Sequence, residues 1–208
     1  MADLPPNGSG SAAGIVQRAR DILLRPRECW PVIAAEPATA QSIYIPYVLV
    51  LAAIGPLASL IGGQLVGVSV LGTRWHPPMG AALTSAILSY GLTLAMVFVL
   101  ALVIDGLAPS FGGQKDQIQA LKVAAYSGTA AWVGGIFGLI PALGLIGLLF
   151  ALYGLYILYL GLPVLMKVPQ DKAVGYVAVV VVIAIVLFLI VGAVVGSVTA
   201  PSLLGAQM

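Results

Sequence analysis

The sequence predicts an all-α membrane protein, a polytopic bundle of five transmembrane helices preceded by an amphipathic interfacial helix. Of the 208 residues, 61% are hydrophobic and only 8% are charged, whereas a soluble domain carries about 25% charged residues. The apolar residues are gathered into five segments, each close to the roughly 20 residues that a helix needs to cross a bilayer. The predicted spans, which form one membrane domain over about residues 40–200, are 43–62, 80–104, 123–140, 143–165 and 174–198.

The distribution of Lys and Arg predicts the orientation of the chain. Of the nine basic residues, only Arg74 lies between the first and second spans, and the other eight fall on the opposite side of the predicted membrane. Cytoplasmic loops carry an excess of Lys and Arg. We therefore expect the N-terminus in the cytoplasm and the C-terminus outside, with residues 201–208 as a short outer tail.

The segment before the first span is predicted to have two parts. Residues 1–14 are polar and rich in Gly, Ser and Pro, which is typical of a disordered tail. Residues 15–30 are predicted to form an amphipathic helix on the cytoplasmic membrane surface, because Ile15, Ala19 and Ile22 share one stripe at helical spacing. A basic helix packed on the cytoplasmic loops is the alternative. The candidate contacts with anionic lipid and its headgroup zone are Arg18, Arg20, Arg25, Arg27 and Trp30.

The first span is longer than a single crossing requires. It begins near Ile43, carries Pro46 and Pro56, and its apolar character continues to Leu71. Either this helix is tilted and kinked, or residues 63–72 form an outer amphipathic or re-entrant piece.

The third and fourth spans are predicted from a long uncharged stretch. Between Lys122 and Lys167 lie 44 residues without a charge. That length fits two crossings of about 20 residues joined by a tight turn. A shallow re-entrant hairpin is the alternative, and it would keep both lysines on the same side as well.

Small residues recur at the spacings that bring helices together. Such stripes let helix backbones approach closely where lipid offers no hydrophobic drive. We interpret them as packing within the bundle, with a dimer seam as the alternative. The candidate helix-packing residues are Gly134, Gly138, Gly147, Gly154, Gly161, Gly192 and Gly196.

A few polar residues are candidates for partner binding or for lining a polar cavity. Three tyrosines step along the fourth span at intervals of three, and their hydroxyls either line a cavity or hydrogen-bond between helices. Asp105 is the carboxylate at the end of a span, and we expect it to pair with Lys122 or Lys115. The full set is Asp105, Lys122, Tyr126, Tyr153, Tyr156 and Tyr159.

Several classes of function are disfavoured. No Asp, Glu, Lys, Arg or His lies inside a predicted span, which argues against ion-coupled transport and acid–base catalysis in the membrane. With a single histidine, His76, and a single cysteine, Cys29, we expect no internal disulfide, metal site or cofactor. The formal net charge of +2 gives no indication of a nucleic-acid partner.

Three motifs follow one another between Gln114 and Tyr176: Gln-Ala-Leu-Lys-Val-Ala-Ala-Tyr-Ser ending at Ser127, Ile-Pro-Ala-Leu-Gly ending at Gly144, and Leu-Tyr-x-Leu-Tyr-Leu-Gly-Leu-Pro ending at Pro163. Their order resembles bacterial members of the Yip family (Ypt-interacting protein domain). The resemblance implies five spans, a cytoplasmic N-terminus, a bacterial inner-membrane location, and a role in membrane organisation or trafficking. The Asp-Leu-Tyr-Gly-Pro motif of eukaryotic members is missing, so binding of Rab-class GTPases is not carried over.

Two functions remain as hypotheses. The first is a non-enzymatic integral membrane protein that binds anionic lipid, protein partners or a second copy of itself through its cytoplasmic surface. The alternative is a facilitator or channel for a small neutral solute, which would use the glycine-rich faces and the tyrosine hydroxyls.

Overall fold

The N-terminal segment folds into two helices rather than one. The computed structural model describes residues 12–70 and 73–205. Helix α1 (Ala12–Leu24) and helix α2 (Pro26–Ala35) are separated at Arg25, whose φ of −137° and ψ of 56° are not helical. The structure thus differs from the single helix predicted over residues 15–30, because proline disfavours the α conformation in the residue before it and suits the first turn of the next helix. Part of the predicted disordered tail is already helical, and residues 1–11 lie outside the described residues.

The first membrane segment is interrupted near its first proline. The Leu49 N–H donates to the Tyr44 carbonyl five residues earlier, which defines a π-helical turn that contains Pro46. Proline has no N–H to donate and its ring clashes with the preceding turn, so the regular helix gives way there. The segment consists of α3 (Ala40–Ile43), the π-turn (Tyr44–Val48), α4 (Leu49–Ala52) and α5 (Ile54–Leu65).

A short hairpin follows the first membrane segment, so a small β element joins the predicted all-α fold. Strand β1 (Val68–Val70) pairs antiparallel with β2 (Thr73–Trp75), with Val68 opposite Trp75. Gly67 enters the hairpin with a φ of 78°, a conformation that glycine adopts without steric cost. The first membrane segment is interrupted at Pro46, as expected for a kinked helix, its last helix ends at Leu65, and residues 68–70 form a strand. That residues 63–72 form an outer or re-entrant piece stays a prediction.

Four longer helices complete the chain. Asp116 caps the second of them: its Oδ1 accepts from the N–H groups of Ile118 and Gln119, at 3.0 Å each. The last helix extends well into the predicted outer tail, and residues 206–208 lie outside the described residues. The helices are α6 (Met79–Leu107), α7 (Gln117–Gly134), α8 (Gly144–Leu165) and α9 (Gln170–Gly205).

The protein is an integral membrane protein by the length and composition of its helices. In the described part of the chain, four stretches are long and apolar enough to cross a bilayer: Ala40–Leu65, Met79–Phe111, Pro141–Leu165 and Gln170–Val198. The predicted span 123–140 is not among them. It corresponds to the last two-thirds of α7 and the 3-10 turn Gly135–Leu139 that follows.

Helix α7 lies at the centre of the bundle, packed between α6 and α8. Its residues from Ala120 to Ala125 are all buried. Helices α1 and α2 contribute to the same core, whereas α9 packs on α6 and leaves most of its surface exposed, as suits a lipid-facing helix. The largest fully buried side chains are Trp30, Tyr176, Ile22, Ile33, Ile43, Ile104, Leu121, Ile157, Leu162 and Met166.

Candidate functional site at the charged end of the bundle

Trp30 anchors α2 in the bundle. Its side chain is fully buried, and Nε1 donates to the carbonyl of Ile157 at 3.0 Å. A Cβ on Gly161 would lie 2.6 Å from the indole. Because glycine has no side chain, a slot is left beside Gly161, and the Trp30 ring fills it. The predicted contact of the Trp30 side chain with the headgroup zone is therefore not made, because protein covers the ring. Its N–H has a partner inside the protein, as a buried indole requires.

Arg18 is buried and makes its contacts within the protein, so it is not available to contact lipid as predicted. Its side chain is 8% exposed, with Nη2 2.5 Å from Glu36 Oε1 and Nη1 3.9 Å from Cys29 Sγ. Burial alone would lower the pKa of Arg18, but the hydrogen bond and charge of Glu36 outweigh it and the net pKa is raised. Burial also raises the pKa of the Cys29 thiol, although Arg18 opposes this shift. A partly buried ion pair thus joins α1 to the residue that follows α2.

Lys122 binds the end of α2 and does not pair with Asp105. Its ammonium donates to the carbonyls of Ile33 at 2.8 Å and Glu36 at 2.6 Å. The last carbonyls of a helix lack partners within the helix, and a cation there is favourable. The expected pairing of Asp105 with Lys122 or Lys115 is wrong: the described residues show no such ion pair, and Asp105 Oδ1 is buried without a hydrogen bond.

The candidate tyrosines do not line one common cavity in the described part of the chain, although the rings of Tyr153 and Tyr156 lie 5.8 Å apart between centroids. The Tyr153 hydroxyl donates to the Leu23 carbonyl at 2.7 Å, which ties α8 to the end of α1. The ring of Tyr126 meets the indole of Trp30 edge to face, with 6.4 Å between centroids and 78° between the ring planes. The side chains of Tyr156 and Tyr159 lie on the outer surface, each 40% exposed.

The candidate glycines divide into two groups. Gly134, Gly138, Gly147, Gly154 and Gly161 all face close neighbours. At Gly154, for example, a Cβ would lie 3.0 Å from the Ser127 carbonyl of α7. A Cβ added to Gly192 or Gly196 on α9 would meet no neighbour within 4 Å, so close packing at these two positions stays a prediction.

Exposed basic residues from four segments come together at one end of the bundle. The loop after α6 contacts the loop after α8, where the Gln114 N–H donates to the Met166 carbonyl at 2.9 Å. Where these two loops meet, the Lys172 ammonium lies beside Gly112 of the loop after α6. We call this surface the basic face. Its exposed residues are Arg25, Arg27, Lys115, Lys167 and Lys172.

Of the predicted lipid contacts, Arg20, Arg25 and Arg27 are exposed. The residues that sequence reasoning missed are those that hold the helix pair: Glu36, Cys29 and Gln119, whose side-chain amide donates to the Ala34 carbonyl at 3.0 Å. No local sequence signal marks them, because each acts on a residue far away along the chain or on a backbone carbonyl.

Comparison with known proteins identifies a family. The family model described as the Yip1 domain matches residues 20–192. This match covers most of the chain, from the middle of α1 to the later part of α9. No curated protein and no solved structure matches the chain.

Proposed function

Because the chain belongs to the Yip1 domain family, we propose that it is a non-enzymatic membrane-organising protein whose basic face binds anionic lipid at the cytoplasmic surface of a bacterial inner membrane. The same face is open to acidic protein partners or to an acidic region of a second copy. The family resemblance supports a role in membrane organisation or trafficking.

The proposal rests on one observation: exposed cations from several segments lie on one surface that the folded bundle holds in place. Arg25 and Arg27 come from a helix pair that Trp30 and Lys122 hold in place, and the other cations come from the loops beside it. Near an anionic leaflet each Lys or Arg contributes roughly 1 kcal/mol. Three exposed carboxylates lie on the same segments: Glu28, which pairs with Arg25 at 3.9 Å, Asp116, which caps α7, and Asp171. The five cations of the basic face outnumber them.

We further propose that α7 crosses the membrane as a fifth span. Near its start, Lys122 touches Glu36, just before the first candidate span. Past its end, Gly138 lies against Ser59, and a Cβ on Gly62 would lie 2.6 Å from the Leu139 carbonyl, near the far end of that span. Helix α7 and its turn therefore extend along most of the first span. Burial among the other helices explains why its sequence is less apolar than theirs.

Five crossings would put the two termini on opposite sides of the membrane, and we propose that the N-terminus is the cytoplasmic one. The charge distribution supports this orientation, because Arg74 next to the β-hairpin is alone on the far side among the nine basic residues.

The experiment uses the purified full chain in detergent, with phosphatidylglycerol or phosphatidylcholine added at low and high salt. Phosphatidylglycerol should raise the thermal unfolding midpoint more than phosphatidylcholine does, and high salt should reduce the difference. Changing Arg25, Lys115, Lys167 and Lys172 together to Gln should remove most of the difference, at roughly 1 kcal/mol for each charge.

The matched control is Arg74→Gln, an exposed basic residue on the opposite side of the membrane. It should leave the response to phosphatidylglycerol unchanged. An equal response to the two lipids, or a fourfold variant that behaves like the parent chain, would contradict the proposal.

No specific observation favours the solute facilitator. The hydroxyl of Tyr153 donates to the Leu23 carbonyl and is therefore engaged, and the side chains of Tyr156 and Tyr159 are exposed on the outer surface of α8.

A further inference from the structure

A cavity of about 450 Å³ opens beside the basic face, between α2, α8 and the start of α9. Three polar side chains from these three helices line it: Arg27, Tyr159 and Gln170. Its volume lies within the range of roughly 300–1,000 Å³ that is usual for ligand pockets. The cavity is thus large enough to hold the headgroup of a lipid or a comparable small molecule.

Arg27 has its charge available to a ligand. Its side chain is exposed, and it takes part in neither of the ion pairs that the described residues form, Arg18–Glu36 and Arg25–Glu28. A guanidinium presents several N–H donors in a planar fork that matches a phosphate. The hydroxyl of Tyr159 and the amide of Gln170 add neutral donors at the same cavity. This set of groups suits an anionic phosphate ester.

The cavity also has an apolar wall that leads to the lipid-facing surface. Leu160 and Val164 line it from α8, and Val164 is 40% exposed. Other apolar side chains of α8, such as Leu152, are exposed as well. A ligand with a polar head in the cavity can therefore lay an acyl chain along α8 without burying a polar group. A free phosphate compound would leave this wall unused.

Pro163 adds a hydrogen-bond acceptor to the cavity. It lies inside α8, where its lack of an N–H removes the usual helix bond to the Tyr159 carbonyl four residues earlier. Both residues line the cavity. Because Pro163 cannot donate to it, the Tyr159 carbonyl can accept from a hydroxyl of the headgroup, such as the glycerol of phosphatidylglycerol.

We propose that this cavity binds one anionic phospholipid, with the phosphate on Arg27 and Tyr159, a headgroup hydroxyl toward the Tyr159 carbonyl, and an acyl chain along Leu160 and Val164. The inference rests on the proposed function, because it adds a discrete site to a surface that otherwise attracts lipid by charge alone.

The test counts lipids bound to the full chain by native mass spectrometry after stepwise delipidation. With phosphatidylglycerol as the probe, the parent chain should retain one molecule under conditions that strip phosphatidylcholine. Arg27→Gln should weaken retention by about tenfold or more, as expected for loss of a charged hydrogen bond. Val164→Phe, which fills the cavity without changing charge, should weaken it as well.

The comparison variant is Arg25→Gln, which removes a charge from the basic face but not from the lining of the cavity. It should reduce retention by clearly less than Arg27→Gln does, because only the general attraction of the face is weakened. The control is Arg74→Gln, at an exposed position outside the basic face, which should leave retention unchanged. If Arg25→Gln and Arg27→Gln reduce retention equally, or if Val164→Phe has no effect, there is no discrete site. If soluble glycerol 3-phosphate competes as well as phosphatidylglycerol does, the cavity is a phosphate site and the lipid assignment is wrong.

The fourfold variant of the basic face separates the two proposals, because it keeps Arg27. If it loses the general response to anionic lipid but retains one tightly bound phosphatidylglycerol, both proposals hold. If the general response survives while Arg27→Gln does not alter retention, the site fails and the basic face stands. Unchanged melting of Arg27→Gln in neutral lipid shows that its fold is intact.

Discussion

At the scale of single residues, burial decides the roles of the charged side chains. Arg18 and Arg20 lie two positions apart on α1, yet the first is buried in an ion pair with Glu36 and the second is exposed. Two residues along a helix point to different faces. Arg18, which the sequence pattern assigns to the membrane surface, thus joins α1 to the end of α2, and Lys122 attaches that end to α7.

Lys122 offers a direct test of this attachment. Replacing Lys122 with Met keeps the length of the side chain but removes both hydrogen bonds to the end of α2. Leaving buried carbonyls without donors costs about 1–3 kcal/mol, so we expect a lower thermal unfolding midpoint in detergent.

The matched control for this change is Lys115→Met, at an exposed position in the loop before α7. A surface substitution of this kind stays within about 0.5 kcal/mol. Equal midpoints for the two variants would show that the contacts of Lys122 do not stabilise the protein.

At the scale of the elements, the slot at Gly161 determines whether α2 is docked. The adjacent Cys29 reports on docking, because it is 2% exposed and is the one cysteine of the chain. Its raised pKa leaves little of the reactive thiolate at neutral pH. The thiol should therefore react slowly with a maleimide while α2 is in place.

Gly161→Leu should make Cys29 reactive. The added side chain collides with the Trp30 indole, and overpacking costs about 1–3 kcal/mol. The fraction of molecules in which α2 is undocked should therefore rise at least about fivefold over the parent chain. Mass spectrometry of the maleimide adduct over time measures the rate.

Gly192→Leu is the control for this experiment, since no neighbour lies within 4 Å of a Cβ at that position. It should leave the alkylation rate of Cys29 as in the parent chain. A slow rate in Gly161→Leu as well would mean that α2 remains docked without the tryptophan slot.

At the scale of the whole molecule, the number of crossings sets which sides the two termini occupy. Four candidate spans alone would return the C-terminus to the starting side, whereas a fifth crossing by α7 places it on the other side. Reporters fused after residue 208 and before residue 1 distinguish the two arrangements in intact cells. We expect opposite sides, with the N-terminal reporter in the cytoplasm.

A reporter inserted in the loop between α7 and α8 provides an independent check. It should lie outside with the C-terminus. Reporters on the two termini that localise to the same side would rule out the odd number of crossings and favour the re-entrant hairpin.

The sequence by itself determined the class of protein and the positions of most helices. The predicted spans 80–104 and 143–165 lie within α6 and α8 to within a few residues. Hydropathy and the spacing of prolines and glycines are local properties of the chain, and they are sufficient to show where helices form and that they lie in a membrane. The Yip-family motifs are likewise short and local, and the family match confirms them.

The tertiary structure alone decided which face of each helix is covered. Val180 is fully buried and Val182 is 59% exposed, although both belong to one run of valines in α9. Lipid and a membrane-protein core are equally apolar, so a helix that is hydrophobic all round carries no pattern that separates the two. The burial of Trp30 and Arg18 depends on partners more than a hundred residues away in the first case and on the adjacent helix in the second. Such contacts form only when the whole bundle assembles around α7.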